Sequence, residues 1–174
     1  MINKNVEKAI NVQIKNEEHS SRIYMAMASW CEVNGYRGAS DYLYKQSDEE
    51  RFHMLKFIKY VNDRGGYAVL STLETPGAGF ASLQVIFEQV LKHEEFITDS
   101  INKLYEIALN EKDYTSGNFL QWYINEQIEE ESTVHAILDK MKLAGNQAGG
   151  MFLIDKELAA MAAAKVIGTV ASAT

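Results

Sequence analysis

The stretch DEERFHML, residues 48–55, places Glu50 and His53 three positions apart inside a long run with helical periodicity. Residues three apart lie on the same face of a helix. If that face points into a protein core, a carboxyl and an imidazole are buried together. Both then need partners, because an unsatisfied buried polar group is costly. The periodicity of the other helices shows which way this face points.

Helices dominate the predicted fold. The chain has 174 residues and one proline, Pro76, and glycine-rich breaks divide the chain into long segments. Proline disrupts helix interiors, so its scarcity favours long unbroken helices. Ser40 or Asp41 is predicted to cap the second helix, which ends near Arg64. The other predicted helices are 5–33, a third that Ser82 caps and that runs to about 110, a fourth from Asp113 or Thr115 to 144, and a short fifth of about 151–164.

Four long helices of similar length are typical of a four-helix bundle. Residues 66–81 connect the second helix to the third. Fully extended, this connection reaches about 50 Å, whereas a helix of about 28 residues is about 42 Å long. The connection can therefore cross the bundle from end to end and make these two helices parallel. We expect residues 1–174 to form a single all-α domain with a long crossover and a short C-terminal helix.

Each long helix has a seam, meaning the positions spaced alternately three and four apart that a bundle helix buries. All four seams are interrupted by acidic or amide side chains near the helix midpoint. Helices of equal length that pack side by side bring their midpoints to one level. The sequence therefore predicts that these seam residues meet in the core: Glu17, Glu50, His53, Glu94, Gln127 and Glu130.

The predicted cluster contains four carboxylates, and no lysine or arginine lies on the seams. Unpaired buried charges are strongly destabilising, so ordinary buried ion pairs do not explain the cluster. Bound metal ions would supply the missing positive charge. Carboxylates with one imidazole and no thiolate favour iron, ahead of manganese and zinc. Four carboxylates balance two divalent ions, and Glu50 is the candidate bridge between them.

Composition argues against several partners. A net charge of −7 and a pI of about 5.1 disfavour nucleic acid and anionic membranes. No apolar run reaches the roughly 20 residues that a membrane span needs. The N-terminus lacks the apolar region of a secretory signal. The single cysteine, Cys31, excludes an intrachain disulfide and is compatible with a reducing compartment. We therefore expect a cytoplasmic protein.

At these residues the chain resembles the ferritin superfamily, and within it the bacterial non-haem ferritins. The resemblance covers nearly the whole chain and rests on Glu17 with Tyr24 seven residues later, EERFH at 49–53, Glu94, and QIEE at 127–130.

The resemblance implies two iron sites. The first iron would be held by Glu17, Glu50 and His53. The second would be held by Glu50, Glu94 and Glu130, with Gln127 nearby. Because the second site lacks an imidazole, we expect it to bind iron more weakly, which suits a site that releases ferric iron.

The resemblance also implies roles for neighbouring residues. Tyr24 would hydrogen-bond a ligating carboxylate or donate an electron, although its position alone suits a core tyrosine equally well. Glu49, Glu126 and Glu129 would form a third iron site that shares Glu130, whereas without the resemblance they are interpreted as solvated surface charges. In bacterioferritins a haem-ligating methionine follows the bridging glutamate. Arg51 occupies that position here, so no haem is expected.

The function implied by the resemblance is iron storage with ferroxidase activity. Fe(II) would be oxidised by O2 or H2O2 and stored as a ferric mineral inside a hollow shell of 24 identical subunits. One alternative is a helical bundle of the cytokine type that acts through its surface, but such a bundle has no reason to bury four acids at one level. Another is a di-iron oxygenase with an organic substrate, which the weak second site disfavours.

Overall fold

Five helices make up the fold. The computed structural model describes residues 1–145 and 148–167. Its helices are α1 (Lys4–Val33), α2 (Arg37–Asp63), α3 (Leu83–Asn110), α4 (Tyr114–Ala144) and α5 (Ala148–Ala164). The described residues contain no strand, and no helix among them is long and apolar enough to cross a membrane. The predicted all-α four-helix bundle with a fifth helix is confirmed.

The core consists of two apolar clusters at different levels of the bundle. One contains the C-terminal halves of α1 and α4, the N-terminal halves of α2 and α3, and α5. The other contains the opposite halves of the four long helices. The N-terminal halves of α2 and α3 therefore lie together, so these helices run parallel, as the long crossover predicts. Along every long helix, the polar seam residues fall between the positions that enter the two clusters.

The crossover, residues 64–82, contains no helix or strand and is hydrogen-bonded to α1. The backbone amide of Tyr67 donates to Glu7 Oε1 at 3.0 Å, and that of Val69 donates to Asn11 Oδ1 at 2.6 Å. The Asn11 amide donates in turn to the carbonyl oxygen of Tyr67 at 3.2 Å. Side chains of the first helix therefore hold the start of the crossover against the bundle.

Two predicted helix starts are confirmed. The Ser82 hydroxyl accepts a hydrogen bond from the backbone amide of Val85 at 3.2 Å and caps α3. Asp113 rather than Thr115 caps α4, because its Oδ1 accepts from the amide of Ser116 at 3.1 Å. Both contacts satisfy amides that have no partner inside the helix.

The predicted start of α2 is wrong. The helix begins before either predicted cap, Ser40 or Asp41. The carboxylate of Asp155 in α5 accepts hydrogen bonds from the amides of Gly38 at 3.1 Å and Ala39 at 2.9 Å. The capping group therefore comes from a distant part of the chain, and no local sequence signal marks it.

The predicted start of α5 also differs from the structure. The glycines at 149 and 150 were expected to precede the helix, but α5 begins at Ala148 and includes both of them. Its predicted end at 164 is confirmed.

Gly38 allows α5 to lie directly against α2. A Cβ at this position would be 1.8 Å from the carbonyl oxygen of Asp155, and this backbone atom cannot move aside as a flexible side chain could. We expect Gly38→Ala to displace α5 and lower the free energy of unfolding by about 1–3 kcal/mol, as overpacked sites do. Denaturation midpoints measure the effect.

The matched control is Gly149→Ala in α5, where a Cβ meets nothing within 4 Å. Alanine has the higher helix propensity, so this variant should be unchanged or up to about 1 kcal/mol more stable. Equal midpoints for the two variants would contradict the close approach of α5 to α2.

Candidate metal centre

A layer of buried polar side chains lies between the two apolar clusters, and all four long helices contribute to it. Its members are at most 6% exposed, as the seam pattern predicts: Glu17, Glu50, His53, Glu94, Gln127 and Glu130.

Glu17, Glu50 and His53 form one group of potential metal ligands. One ligand atom of each lies within 4.8 Å of the other two. His53 Nδ1 is 3.5 Å from Glu50 Oε2 and 4.0 Å from Glu17 Oε2. Within the described residues, these two carboxylate oxygens have no hydrogen-bond partner. A cation bound between them and the imidazole would satisfy both.

Glu94 is oriented by hydrogen bonds to both of its carboxylate oxygens. The Tyr24 hydroxyl donates to Oε1, and the Gln127 amide donates to Oε2 at 3.0 Å. Burial, followed by the charge of Glu94, raises the pKa of Tyr24 well above its ordinary value, so the hydroxyl stays protonated and donates. Tyr24 and Gln127 can therefore position Glu94.

Glu130 has a buried amide partner that the sequence analysis missed. The Gln46 side chain is 1% exposed and donates to Glu130 Oε2 at 2.8 Å. The alternating spacing of three and four that defines the seam of α2 passes through Leu43, Ser47 and Glu50 and leaves Gln46 out. The spacing could nevertheless have indicated that Gln46 faces the site, because position 46 lies four residues before Glu50 and so shares its helix face.

Lys165, which directly follows α5, supplies a cation that the seams lack. Its ammonium forms ion pairs with Glu49 and with Glu130, where Nζ lies 3.3 Å from Oε1, and it also donates to Gln46. The expectation that the chain provides no positive charge for the cluster is therefore wrong for these two acids. The seam analysis considered only the four long helices, whereas Lys165 directly follows the fifth.

The three accessory acids have different environments. Glu49 is buried, so its interpretation as a solvated surface charge is wrong, whereas Glu126 is half-buried and Glu129 is exposed. One ligand atom each from Glu49, His53 and Glu126 lies within 4.8 Å of the other two. This is a second group of potential ligands, and it shares His53 with the first. Glu129 belongs to neither group found among the described residues.

Four carboxyl groups in or beside the layer, Glu17, Glu49, Glu50 and Glu94, hold their protons more tightly than exposed acids do. Burial, followed by the charge of Glu50, raises the pKa of Glu17, and burial followed by Glu94 raises that of Glu50. Burial, followed by Glu130, raises the pKa of both Glu49 and Glu94 to about 7. The metal-free centre therefore carries protons near neutral pH, and a bound metal ion would displace them.

The remaining histidines lie outside both ligand groups in the described part of the chain. His93 packs edge-on against Tyr24 with ring centroids 5.9 Å apart, and its Nε2 is 2.7 Å from the Ser20 hydroxyl. His19 is half-buried and His135 is exposed. These placements suit packing and surface roles.

Comparison with known proteins identifies the family. The family model described as ferritin-like domain matches residues 7–144, which is most of the chain. The chain belongs to the ferritin family. The predicted resemblance to bacterial non-haem ferritins is also confirmed by individual relatives.

This ferritin is similar to a bacterial non-heme ferritin of Campylobacter jejuni, with 42% identity over 156 residues, 90% of this chain and 93% of the relative. A probable bacterial non-heme ferritin-like protein of Haemophilus influenzae is 42% identical over 158 residues, 91% of this chain and 96% of the relative. Among solved structures, an open pore ferritin from the hyperthermophilic archaeon Archaeoglobus fulgidus has a TM-score of 0.89 and 37% identity, covering 91% of this chain and 98% of that chain.

Iron storage is the function that membership of this family supports, and ferroxidase activity is typical of the family.

Proposed function

We propose that this ferritin oxidises Fe(II) at the buried polar layer and stores the Fe(III) product as a mineral inside a hollow shell. One observation carries the proposal. Glu17 and Glu50 direct carboxylate oxygens without hydrogen-bond partners toward His53, deep in the core. Burying such unpartnered oxygens would destabilise a purely structural bundle. Two carboxylates and an imidazole are ligands that a hard or borderline divalent ion prefers.

Two iron ions are the substrates of the proposed reaction. Glu17, Glu50 and His53 would bind the first, and Glu50, Glu94 and Glu130 would bind the second. Glu50 is common to both sets, and the electrostatics support its central position. Burial raises the pKa of Glu50 most, followed by the charge of Glu94 and, more weakly, by the charges of Glu130 and Glu49.

The reaction balances with two irons. Each Fe(II) loses one electron, and O2 takes up the two electrons and two protons to give H2O2. When H2O2 is the oxidant, the same two electrons and two protons give two water molecules. The carboxylates favour the product state, because their negative charge stabilises Fe(III) more than Fe(II). The second ligand set contains no imidazole, so we expect it to bind Fe(II) more weakly than the first set does.

A third iron site remains a prediction. Glu49 and Glu126 are the accessory acids that the structure places beside His53. Glu129 is exposed, and Glu130 would be shared with the second iron. We therefore expect Glu49 and Glu126 to contribute more than Glu129 to iron binding at the third site.

The assembly and location also remain proposals. We infer a homo-oligomer, with 24 subunits as the resemblance implies and residues 1–174 as one domain in each. The net charge of −7 per subunit would make such a shell strongly negative and draw cations toward it. A cytoplasmic location and the absence of haem, nucleic-acid and membrane partners stay expectations from the sequence.

Anaerobic titration with Fe(II), followed by exposure to air, tests the proposed function. We expect about two irons to bind per subunit at the layer and to oxidise rapidly, with the spectrum of ferric oxo species as the readout. Size-exclusion chromatography should show a particle of several hundred kilodaltons. A small particle that needs an organic substrate for turnover would favour the oxygenase alternative, and a chain that binds no iron would contradict both.

Tyr24→Phe tests the positioning of Glu94. The variant removes the hydroxyl that donates to Glu94 Oε1, and hydrogen bonds to charged groups contribute more than neutral ones. We expect the initial rate of iron oxidation in stopped-flow measurements to fall by about tenfold, while the fold is retained.

Tyr123→Phe is the matched control for this prediction. Tyr123 is equally buried, but its hydroxyl donates to the backbone carbonyl of His53 at 2.9 Å instead of to a carboxylate. Its rate should change by less than about twofold. If both variants kept the rate of the original protein, Tyr24 would have no positioning role.

A further inference from the structure

Lys165 is placed at the metal centre by the docking of α5 on α2. Asp155 joins the two helices near the start of α2, and Leu158 and Ala162 are buried farther along α5. The amide of Lys165 still donates to the carbonyl of Met161 at 3.0 Å, so its backbone continues from the helix. The side chain is 22% exposed, and its ammonium reaches the acids of the polar layer.

Glu49 and Glu130 would repel each other without this ammonium. They come from α2 and α4 and are both buried. The ammonium of Lys165 contacts a carboxylate oxygen of each, so it links the two acids when no metal is bound.

We propose that Lys165 is the resident cation of Glu49 and Glu130 and competes with metal ions for these two carboxylates. The inference rests on the proposed function, because it takes both acids as metal ligands. An ammonium 3.3 Å from Glu130 Oε1 occupies the space and satisfies the charge that an ion on that oxygen would require. Lys165 would thus lower the affinity for the third ion and weaken the binding of Glu130 to the second ion. It would leave Glu17 unaffected.

Displacement of Lys165 needs only its side chain to move. The ammonium sits on a flexible four-carbon stem, so it can rotate toward solvent while the backbone hydrogen bond to Met161 is kept. A divalent ion brings twice its charge to the same carboxylates. Lys165 therefore acts as a replaceable counter-ion of Glu49 and Glu130. This suits a site that binds iron ions and releases them again.

Isothermal titration with Zn(II) tests the competition, because zinc accepts similar ligands and is not oxidised. The metal-free proteins to compare are the original chain, Lys165→Met and Lys156→Met. Methionine keeps much of the lysine stem but removes the charge, and Lys156 is an exposed residue of α5, the helix that Lys165 follows. We expect Lys165→Met to raise the affinity of the weakest class of zinc sites by about tenfold or more, and Lys156→Met to leave all classes unchanged.

Zinc that binds with the same affinities to all three proteins would overturn the competition while leaving the proposed metal centre intact. Zinc that binds to none of them would overturn the metal centre and the competition together.

Amine labelling followed by mass spectrometry gives a second readout that does not depend on activity. In the metal-free protein, acetylation of Lys165 should be at least about tenfold slower than that of Lys156, because its side chain is only 22% exposed and its ammonium is held in two ion pairs. Saturation with zinc should accelerate labelling of Lys165 only. Equal labelling of the two lysines without metal would overturn the inference, and so would labelling of Lys165 that zinc leaves unchanged.

Discussion

Glu50→Gln is expected to lower the rate of iron oxidation by at least about 100-fold and, at the same time, to stabilise the metal-free protein. The loss of rate follows from the position of Glu50, which is proposed to bind both irons. An amide keeps the shape of the carboxylate but removes its negative charge, so it cannot bridge two cations effectively. Stopped-flow oxidation after anaerobic loading measures the rate.

The gain in stability follows from the same burial. Glu50 is 2% exposed, and burial followed by the charge of Glu94 raises its pKa. A neutral side chain of the same shape removes both costs, so the free energy of unfolding of the metal-free protein should rise by about 1–2 kcal/mol. Residues selected for function typically reduce stability, and opposite signs for rate and stability would identify Glu50 as one of them.

Glu95→Gln is the matched control. Glu95 is exposed on α3, so loss of its charge should leave both the rate and the stability close to those of the original protein. If Glu50→Gln oxidised iron at the original rate, the shared-ligand proposal would be wrong. If it lost rate and stability together, Glu50 would have a structural role.

The metal-free protein should lose stability as the pH rises from about 5 to about 7.5. Glu49 and Glu94 have a pKa of about 7 in the folded chain, against 4.5 as their ordinary value. Between these values the folded state binds more protons than the unfolded state, so the free energy of unfolding falls as pH increases. Each carboxyl contributes up to about 1.4 kcal/mol per pH unit, and the total is on the order of 3 kcal/mol or more.

Zinc-loaded protein should show the opposite trend in this range. Metal binding requires deprotonated carboxylates, so zinc affinity, and with it the stability of the loaded protein, should increase with pH. Denaturation midpoints at several pH values, with a chelator or with excess zinc, compare the two states. The double variant Glu49→Gln, Glu94→Gln isolates the contribution of these two groups, because the pH dependence that its metal-free form keeps comes from other carboxyls with a raised pKa, such as Glu17 and Glu50. A metal-free protein that became more stable from pH 5 to 7.5, relative to this variant, would contradict the raised pKa values.

The periodicity of the sequence was sufficient to predict the bundle and the level of its polar layer. Hydrophobic spacing along each helix specifies which face is buried, and Glu17, Glu50 and Glu94 lie on those faces. Capping by Ser82 and Asp113 was predictable for a similar reason, since each contacts an amide only three residues away. Such features depend on local geometry, which is the same for any helix of that sequence.

Only the tertiary structure revealed how α5 completes the site. Asp155 caps α2 from 117 positions along the chain from Gly38, and Lys165 reaches Glu130 from the residue that follows α5. Glu49 is buried although it lies off the seam of α2. The sequence by itself determined the bundle and the buried acids of the seams, because periodicity is local. The tertiary structure decided that Lys165 pairs with Glu49 and Glu130 and that Asp155 caps α2, because partners so distant in sequence meet only when the helices pack.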